Sequence, residues 1–221
     1  MSKNVIIDTV IFDLDGTLLN TLGDLHKGFN YALKICGYKE FSVEEVKSFV
    51  GNGINKAFER AIQKNENSLE VKQLVDIFKE YYINHLYELT KPYEGILNML
   101  EMLKKNGYSL GVVSNKYDSA VKKLCKKYFC DYIDTAIGES IDVKRKPSVD
   151  GIMKSLKELG KTKEHAIYIG DSEVDIQTAN NANIPCISVL WGFKNKNFLE
   201  ENGGKIFAQK PQDIIDILSL K

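Results

Sequence analysis

From Ile96 onward the sequence alternates helical stretches with short apolar ones, and this alternation limits the fold more than any other feature. The spacing predicts a helix over 96–106 ended by Gly107, then a strand over 109–113 and a helix over 118–128. A weak strand over 135–137, a helix over 148–159, a strand over 166–169 and a short helix to 181 follow. A strand over 186–190 and a closing helix over 213–218 complete the pattern. Amphipathic helices between short apolar strands form a parallel sheet covered on both faces. Parallel strands all finish at one edge, and in open α/β sheets that edge holds the ligand. The residues just beyond each strand are therefore the ones to weigh for function.

A further strand comes first. The apolar run from Val5 through Phe12 gives way to Asp13, Leu14, Asp15 and Gly16, a strand that runs out into an acidic turn. While the chain is extended, Asp13 and Asp15 project to the same side. Two like charges held that close repel by roughly 4 kcal/mol at an effective dielectric of about 20. Two readings accommodate the pair. Either both side chains lie in water on an acidic loop, or they do chemistry, one as nucleophile and the other as acid and base, with a cation beside them.

Between these regions, from Asn20 to about Thr90, the apolar positions recur only at helical spacing, as in Leu22, Leu25, Phe29, Ala32 and Leu33. Gly37 closes that first helix. Ser42 with Glu45 is a capping-box signature for a second, which ends near Val50. Gly51-Asn52-Gly53 precedes a third helix, and a fourth carries Leu74, Ile77, Phe78, Tyr81 and His85 on one face. Lys91-Pro92-Tyr93-Glu94-Gly95 then breaks the helical pattern and reads as a hinge. The expected division is residues 1–18 with 92–221 as one domain and 19–91 as a helical insert.

Four groups of polar residues fall at strand ends: Asp13 with Asp15, Ser114 with Asn115, Lys146 in a polar loop, and Asp171 with Asp175. Each also has an ordinary structural explanation. Ser114 and Asn115 suit a helix N-cap. Lys146 has Lys144 and Arg145 as neighbours and sits beside a turn at Pro147. Ser172 and Asp175 have capping-box spacing. Asp171 has no such explanation, being a carboxylate just past an apolar strand.

Asp13-Leu14-Asp15-Gly16-Thr17-Leu18 resembles the first motif of the haloacid dehalogenase-like superfamily, and three further motifs of that family follow in order. Ser114 resembles the second, Lys146-Pro147 the third, and Gly170-Asp171-Ser172-Glu173-Val174-Asp175 the fourth. The resemblance covers nearly the whole chain. It implies a Rossmann-like α/β core, a small helical cap inserted after the first strand, and phosphatase activity. It further implies that Asp13 is transiently phosphorylated and that Asp15 protonates the leaving group. Ser114 and Asn115 would hold phosphoryl oxygens and Lys146 would neutralise the phosphoryl group. Asp13, the Asp15 carbonyl and Asp171 would ligate a metal, with Asp175 supporting from behind.

Four carboxylates and a phosphate dianion repel one another strongly, and magnesium, which prefers oxygen ligands and keeps waters, is the expected ion. The phosphoglycolate phosphatase-like branch matches best. Two departures from it are Asn20-Thr21, where Asp-Ser is usual, and Ser148-Val149-Asp150, where a second proline often occurs. Gly51-Asn52-Gly53 is either a cap loop reaching inward or a plain interhelical turn. A pyrophosphatase or a sugar-phosphate phosphomutase would share the motifs. A signalling domain phosphorylated on aspartate is a further alternative, which the insert and the Asp13 and Asp15 pair disfavour.

Composition narrows the partners. Thirty basic and thirty acidic residues balance, which argues against nucleic acid. Cys36, Cys125, Cys130 and Cys186 are irregularly spaced in a chain too large to need disulfides, as expected of reduced thiols in the cytoplasm. Cys125 and Cys130 have no nearby histidine to complete a zinc site. The sequence shows neither a signal peptide nor a run long enough to cross a membrane. The expected partner is a small phosphorylated metabolite, and the expected state a monomer or homodimer.

Overall fold

The computed structural model describes residues 6–219, so Val5, the start of the first apolar run, lies outside the described residues. The chain divides into two compact units, one formed by the segment up to Leu19 together with that from Pro92 onward, the other by Asn20–Lys91. The sequence reading sets the first division one residue earlier. Strand β1 spans Thr9–Phe12, and two-residue strands β2 (Leu19–Asn20) and β3 (Lys91–Pro92) stand where the chain passes from one unit to the other.

The larger unit is built on a six-stranded sheet. Its remaining strands are β4 (Ser109–Tyr117), β5 (Thr135–Glu139), β6 (Ala166–Gly170), β7 (Cys186–Val189) and β8 (Ile206–Ala208). The order is β5-β4-β1-β6-β7-β8 and every pairing is parallel. Strand β1 lies between β4 and β6, with Phe12 opposite Val112 and Ile169. Val10, Ile11 and Phe12 are all fully buried, so both faces of this strand are covered, as a parallel sheet requires. On one face Ile11, Val113, Ile137, Ile152, Leu156, Tyr168 and Ala179 form a single core.

The sequence pattern ends strand β4 four residues early and misses several short elements, α9 and β8 among them. Strand β4 does not stop at Val113; it continues through Ser114, Asn115 and Lys116 to Tyr117, with an irregular register against β5. Polar residues stay extended there because their side chains find buried partners, described below. Helix α9 (Lys196–Glu201) is a short polar element capped by Asn195, and β8 is a three-residue edge strand. Neither carries an apolar period long enough to read.

The smaller unit contains α1 (Leu22–Ile35), α2 (Val43–Phe49), α3 (Ile54–Ile62) and α4 (Leu69–Tyr82). The Ser42 and Glu45 capping box forms as the spacing indicates. Phe29 stacks on Phe58 with ring centroids 4.3 Å apart, and Phe78 meets Phe58 edge-on, giving this unit its own core. Helix α4 ends at Tyr82, before His85, whose ring still stacks on Tyr81 with centroids 3.9 Å apart. Between α2 and α3, Gly51 and Gly53 both adopt positive φ. The carboxylate of Asp24, 1 % exposed, accepts from the amides of Leu89 and Thr90 and so ties the two ends of this unit together. Helices α5 (Ile96–Lys105), α6 (Asp118–Phe129), α7 (Asp150–Leu159), α8 (Glu173–Ala182) and α10 (Pro211–Ile217) belong to the larger unit. Among the described residues, no helix is long and apolar enough to cross a membrane.

Candidate active site

The sheet itself places Asp13. Its amide donates to the carbonyl of Ile169 at 2.8 Å, the last rung between β1 and the end of β6. The chain then turns sharply: the amides of Leu18 and Leu19 both reach the Leu14 carbonyl at 3.0 Å, and Leu14 is fully buried. Gly16 has φ +85°, and a Cβ there would overlap the carboxylate of Asp171. Glycine is needed at that position both for its conformation and for the close approach.

Lys146 answers which cation of the Lys144, Arg145 and Lys146 cluster enters the site. Lys144 is exposed, whereas the Lys146 side chain is 3 % exposed. Its Nζ lies 2.8 Å from Oδ1 of Asp13, 2.7 Å from Oδ1 of Asp175 and 3.0 Å from the hydroxyl of Tyr168. An ammonium has three donors, and here three oxygens surround it. Burial works against its charge, but Asp13 and Asp175 outweigh burial and hold the Lys146 pKa well above the ordinary lysine value. The Tyr168 hydroxyl in turn donates to the Val113 carbonyl at 2.9 Å.

Asp175, fully buried, spends both oxygens within the protein. Oδ1 takes Lys146, and Oδ2 accepts from the amides of Asp171 and Ser172 and from the Ser172 hydroxyl. Its capping role and its place behind the site are thus one arrangement. Asp171 keeps more freedom. Its Oδ2 accepts from the Phe193 amide at 2.7 Å, and Thr17 makes a long 3.4 Å contact to Oδ1.

Asp13, Asp171 and Asp175 each bring one carboxylate oxygen into a set whose members all lie within 4.8 Å of one another. Burial pushes the Asp13 pKa up to about 6 against the pull of Lys146. Burial, followed by the charges of Asp175 and Asp13, holds that of Asp171 well above the carboxylate range. Buried carboxylates short of positive charge fit a hard divalent cation such as magnesium, which would restore their ionised form. With Asp175 committed to Lys146 and the Ser172 turn, Asp13 and Asp171 are the side chains that could hold it.

Asp15 points its carboxylate at a residue the sequence reading passes over. Lys116 Nζ sits 2.9 Å from Oδ1 and 2.8 Å from Oδ2 of Asp15, and the lysine side chain is 4 % exposed. Its position two residues beyond Ser114 on a strand was the available signal, since alternate residues share a face. The site therefore has two buried lysines rather than one. Ser114 is buried at the same strand end, its hydroxyl accepting from the Lys116 amide at 3.4 Å. Asn115 also meets the main chain of Lys146. Its Nδ2 donates to the Lys146 carbonyl at 3.2 Å and its Oδ1 accepts from the Lys146 amide at 2.5 Å. The Asn115 amide is engaged in fixing the Lys146 loop, because extending β4 by four residues carries it alongside that loop.

The chain resembles known proteins over most of its length. The family described as haloacid dehalogenase-like hydrolase matches residues 10–189. A phosphoglycolate phosphatase of Aquifex aeolicus is 31% identical over 189 residues, covering 85% of this chain and 87% of the relative. The pyrophosphatase PpaX of Bacillus cereus is 29% identical over 214 residues, covering 96% and 97%. A crystal structure of a candidate phosphoglycolate phosphatase from Lactobacillus delbrueckii subsp. bulgaricus superposes with a TM-score of 0.90 at 34% identity, covering 96% of this chain and 98% of that one. The strand-end carboxylates, the buried lysine beside them and the match over most of the chain lead to one conclusion: this chain belongs to the haloacid dehalogenase-like hydrolase family.

Proposed function

We propose that this hydrolase is a magnesium-dependent phosphatase acting on a small phosphate monoester of the phosphoglycolate type, through an aspartyl phosphate on Asp13. The observation that carries the reading is the Asp13 carboxylate at the end of the central strand, 2.8 Å from Lys146 and grouped with Asp171. An Asp13 oxygen attacks phosphorus in line, and the bond to the ester oxygen breaks. Asp15 gives a proton to the departing alkoxide. Water then attacks phosphorus while Asp15 takes its proton, and the bond from phosphorus to Asp13 breaks to release phosphate. Lys146 sets its charge against the phosphoryl oxygens, and the Ser114 hydroxyl donates to one of them. Magnesium, held by Asp13, the Asp15 carbonyl and Asp171, would supply charge neutralisation. Asp175 keeps Lys146 and the Asp171 turn in place, and Asn115 keeps the Lys146 loop. The helical insert serves as the cap that selects substrate, and the reaction takes place in the cytoplasm.

Pyrophosphate is a second candidate substrate, supported by the resemblance to PpaX over nearly the full chain. The test is rapid acid quench of the magnesium-loaded protein with radiolabelled phosphoglycolate and pyrophosphate. A hydroxylamine-sensitive phosphoprotein that is absent in Asp13→Asn supports the mechanism. Turnover by Asp13→Asn near the wild-type rate overturns it.

A further inference from the structure

Both oxygens of Asp15 accept from the Lys116 ammonium, at 2.9 and 2.8 Å. A carboxylate engaged in this way is an acceptor, whereas the reaction proposed above, on which this inference rests, first needs Asp15 as a donor to the ester oxygen. Something must draw Lys116 away. We infer that Lys116 is a specificity-determining residue: it binds a second anionic group on the leaving side of the substrate, and in doing so it releases Asp15 for proton transfer.

The geometry permits this exchange. One hydrogen bond from Asp15 to the ester oxygen and one from Lys116 to Asp15 put the ammonium within about 6 Å of that oxygen. A carboxylate carried one carbon beyond the oxygen, or a second phosphate attached to it, closes the gap. The lysine side chain is 4 % exposed and Asp15 is 19 % exposed, so the pair is largely desolvated while Asp15 remains reachable. In such surroundings a competing anion gains more than it would in water. A substrate with a neutral alcohol portion offers Lys116 nothing and leaves Asp15 clamped. Binding energy from the second anion is thereby used in the chemical step, so its loss lowers kcat as well as raising KM.

Two measurements test this. Calorimetry with magnesium compares 3-phosphonopropionate, in which a methylene replaces the ester oxygen of phosphoglycolate, with the neutral-tailed propylphosphonate; methylenediphosphonate reports on a second phosphate in place of a carboxylate. The wild type is expected to bind at least one of the doubly anionic ligands about 100-fold tighter than propylphosphonate, and Lys116→Met to lose most of that ratio. Whichever of the two is preferred identifies the second anion. Steady-state kinetics then compares phosphoglycolate with ethyl phosphate, and the ratio of their kcat values is expected to fall in Lys116→Met. Equal binding of the three ligands by the wild type overturns the inference, as does a Lys116 variant that keeps the wild-type ratio. If Lys116→Met does not fold, the wild-type comparison and Lys116→Gln decide in the same way. Failure of the proposed phosphatase reading would register separately, as no hydrolysis of any ester by the wild type, because the binding ratios need no turnover.

Discussion

The backbone amide of Phe193 donates to Oδ2 of Asp171 at 2.7 Å, so a turn after β7 aims a carboxylate that ends β6. Gly192 makes this possible. A Cβ on it would overlap Asp171 and press on the Gly16 carbonyl. Both glycines press close to the Asp171 side chain, and neither Gly16 nor Gly192 has room for a methyl group.

Gly192→Ala is therefore expected to displace Asp171 and weaken magnesium binding by about 10- to 100-fold, the usual cost of disturbing a group that orients a ligand. Calorimetric titration of the metal-free protein measures it. Unchanged affinity would show that the Phe193 turn does not set the carboxylate.

Tyr168 offers Lys146 its third acceptor and donates its own hydrogen bond to the Val113 carbonyl. Tyr168→Phe leaves two buried groups one partner short, a loss of about 1–3 kcal/mol. Denaturation of the larger unit, followed by hydrogen exchange at β4 and β6, should show that loss. A fall in kcat with little change in KM is expected alongside it, since a less constrained Lys146 serves the transferring phosphoryl group less well.

The metal-free protein should become more stable as the pH falls from 7.5 to 5.5. Asp13 has its pKa raised from 3.8 to about 6, so between these values the folded state binds more protons than the unfolded one and stability declines with rising pH. The full shift of about two units corresponds to on the order of 3 kcal/mol, reached only below the unfolded value, and the step from pH 7.5 to 5.5 carries about 1 kcal/mol of it. Asp171, also raised, acts in the same direction. Thermal melts in a chelator at the two pH values test the sign. Asp171→Asn should raise the metal-free melting temperature at pH 7.5 and remove the stabilisation that magnesium gives the wild type. A lower melting temperature for this variant in chelator would contradict the electrostatic account.

Much of this site is legible in sequence because chemistry at strand ends needs particular residue types at short spacing. Asp13, Asp15 and Asp171 follow apolar runs directly, so their positions follow from the strand pattern. Asn115 and Lys116 do not, because polar residues after an apolar run read as the end of a strand. Here β4 continues through them, since Asn115 pairs with the Lys146 main chain and Lys116 with Asp15. Those partners are 31 and 101 residues away in sequence, beyond any local pattern. For the same reason local pattern alone does not separate Lys144 and Arg145 from Lys146; the family resemblance, through Lys146-Pro147, does. Helix α9 and strand β8 escaped notice for a simpler reason: both are too short to show a period.

Asp24 provides a test confined to the helical unit. It sits in the first turn of α1 with 1 % exposure, and its carboxylate accepts from Leu89 at 2.9 and 3.1 Å and from Thr90 at 2.9 Å. These two amides have no neighbouring helix turn to bond to, so the carboxylate substitutes for one. Asp24→Ala strands the buried Thr90 amide and is expected to cost about 2–3 kcal/mol, whereas Asp24→Asn, which keeps an acceptor oxygen, should cost less than about half of that. Hydrogen exchange is the appropriate readout, because two units need not unfold together. In Asp24→Ala, protection should fall at Leu89, Thr90 and along α1 and α4, while the amides of β1 and β6 keep theirs. Equal loss across both units would mean that Asp24 supports the whole chain and not the helical unit alone.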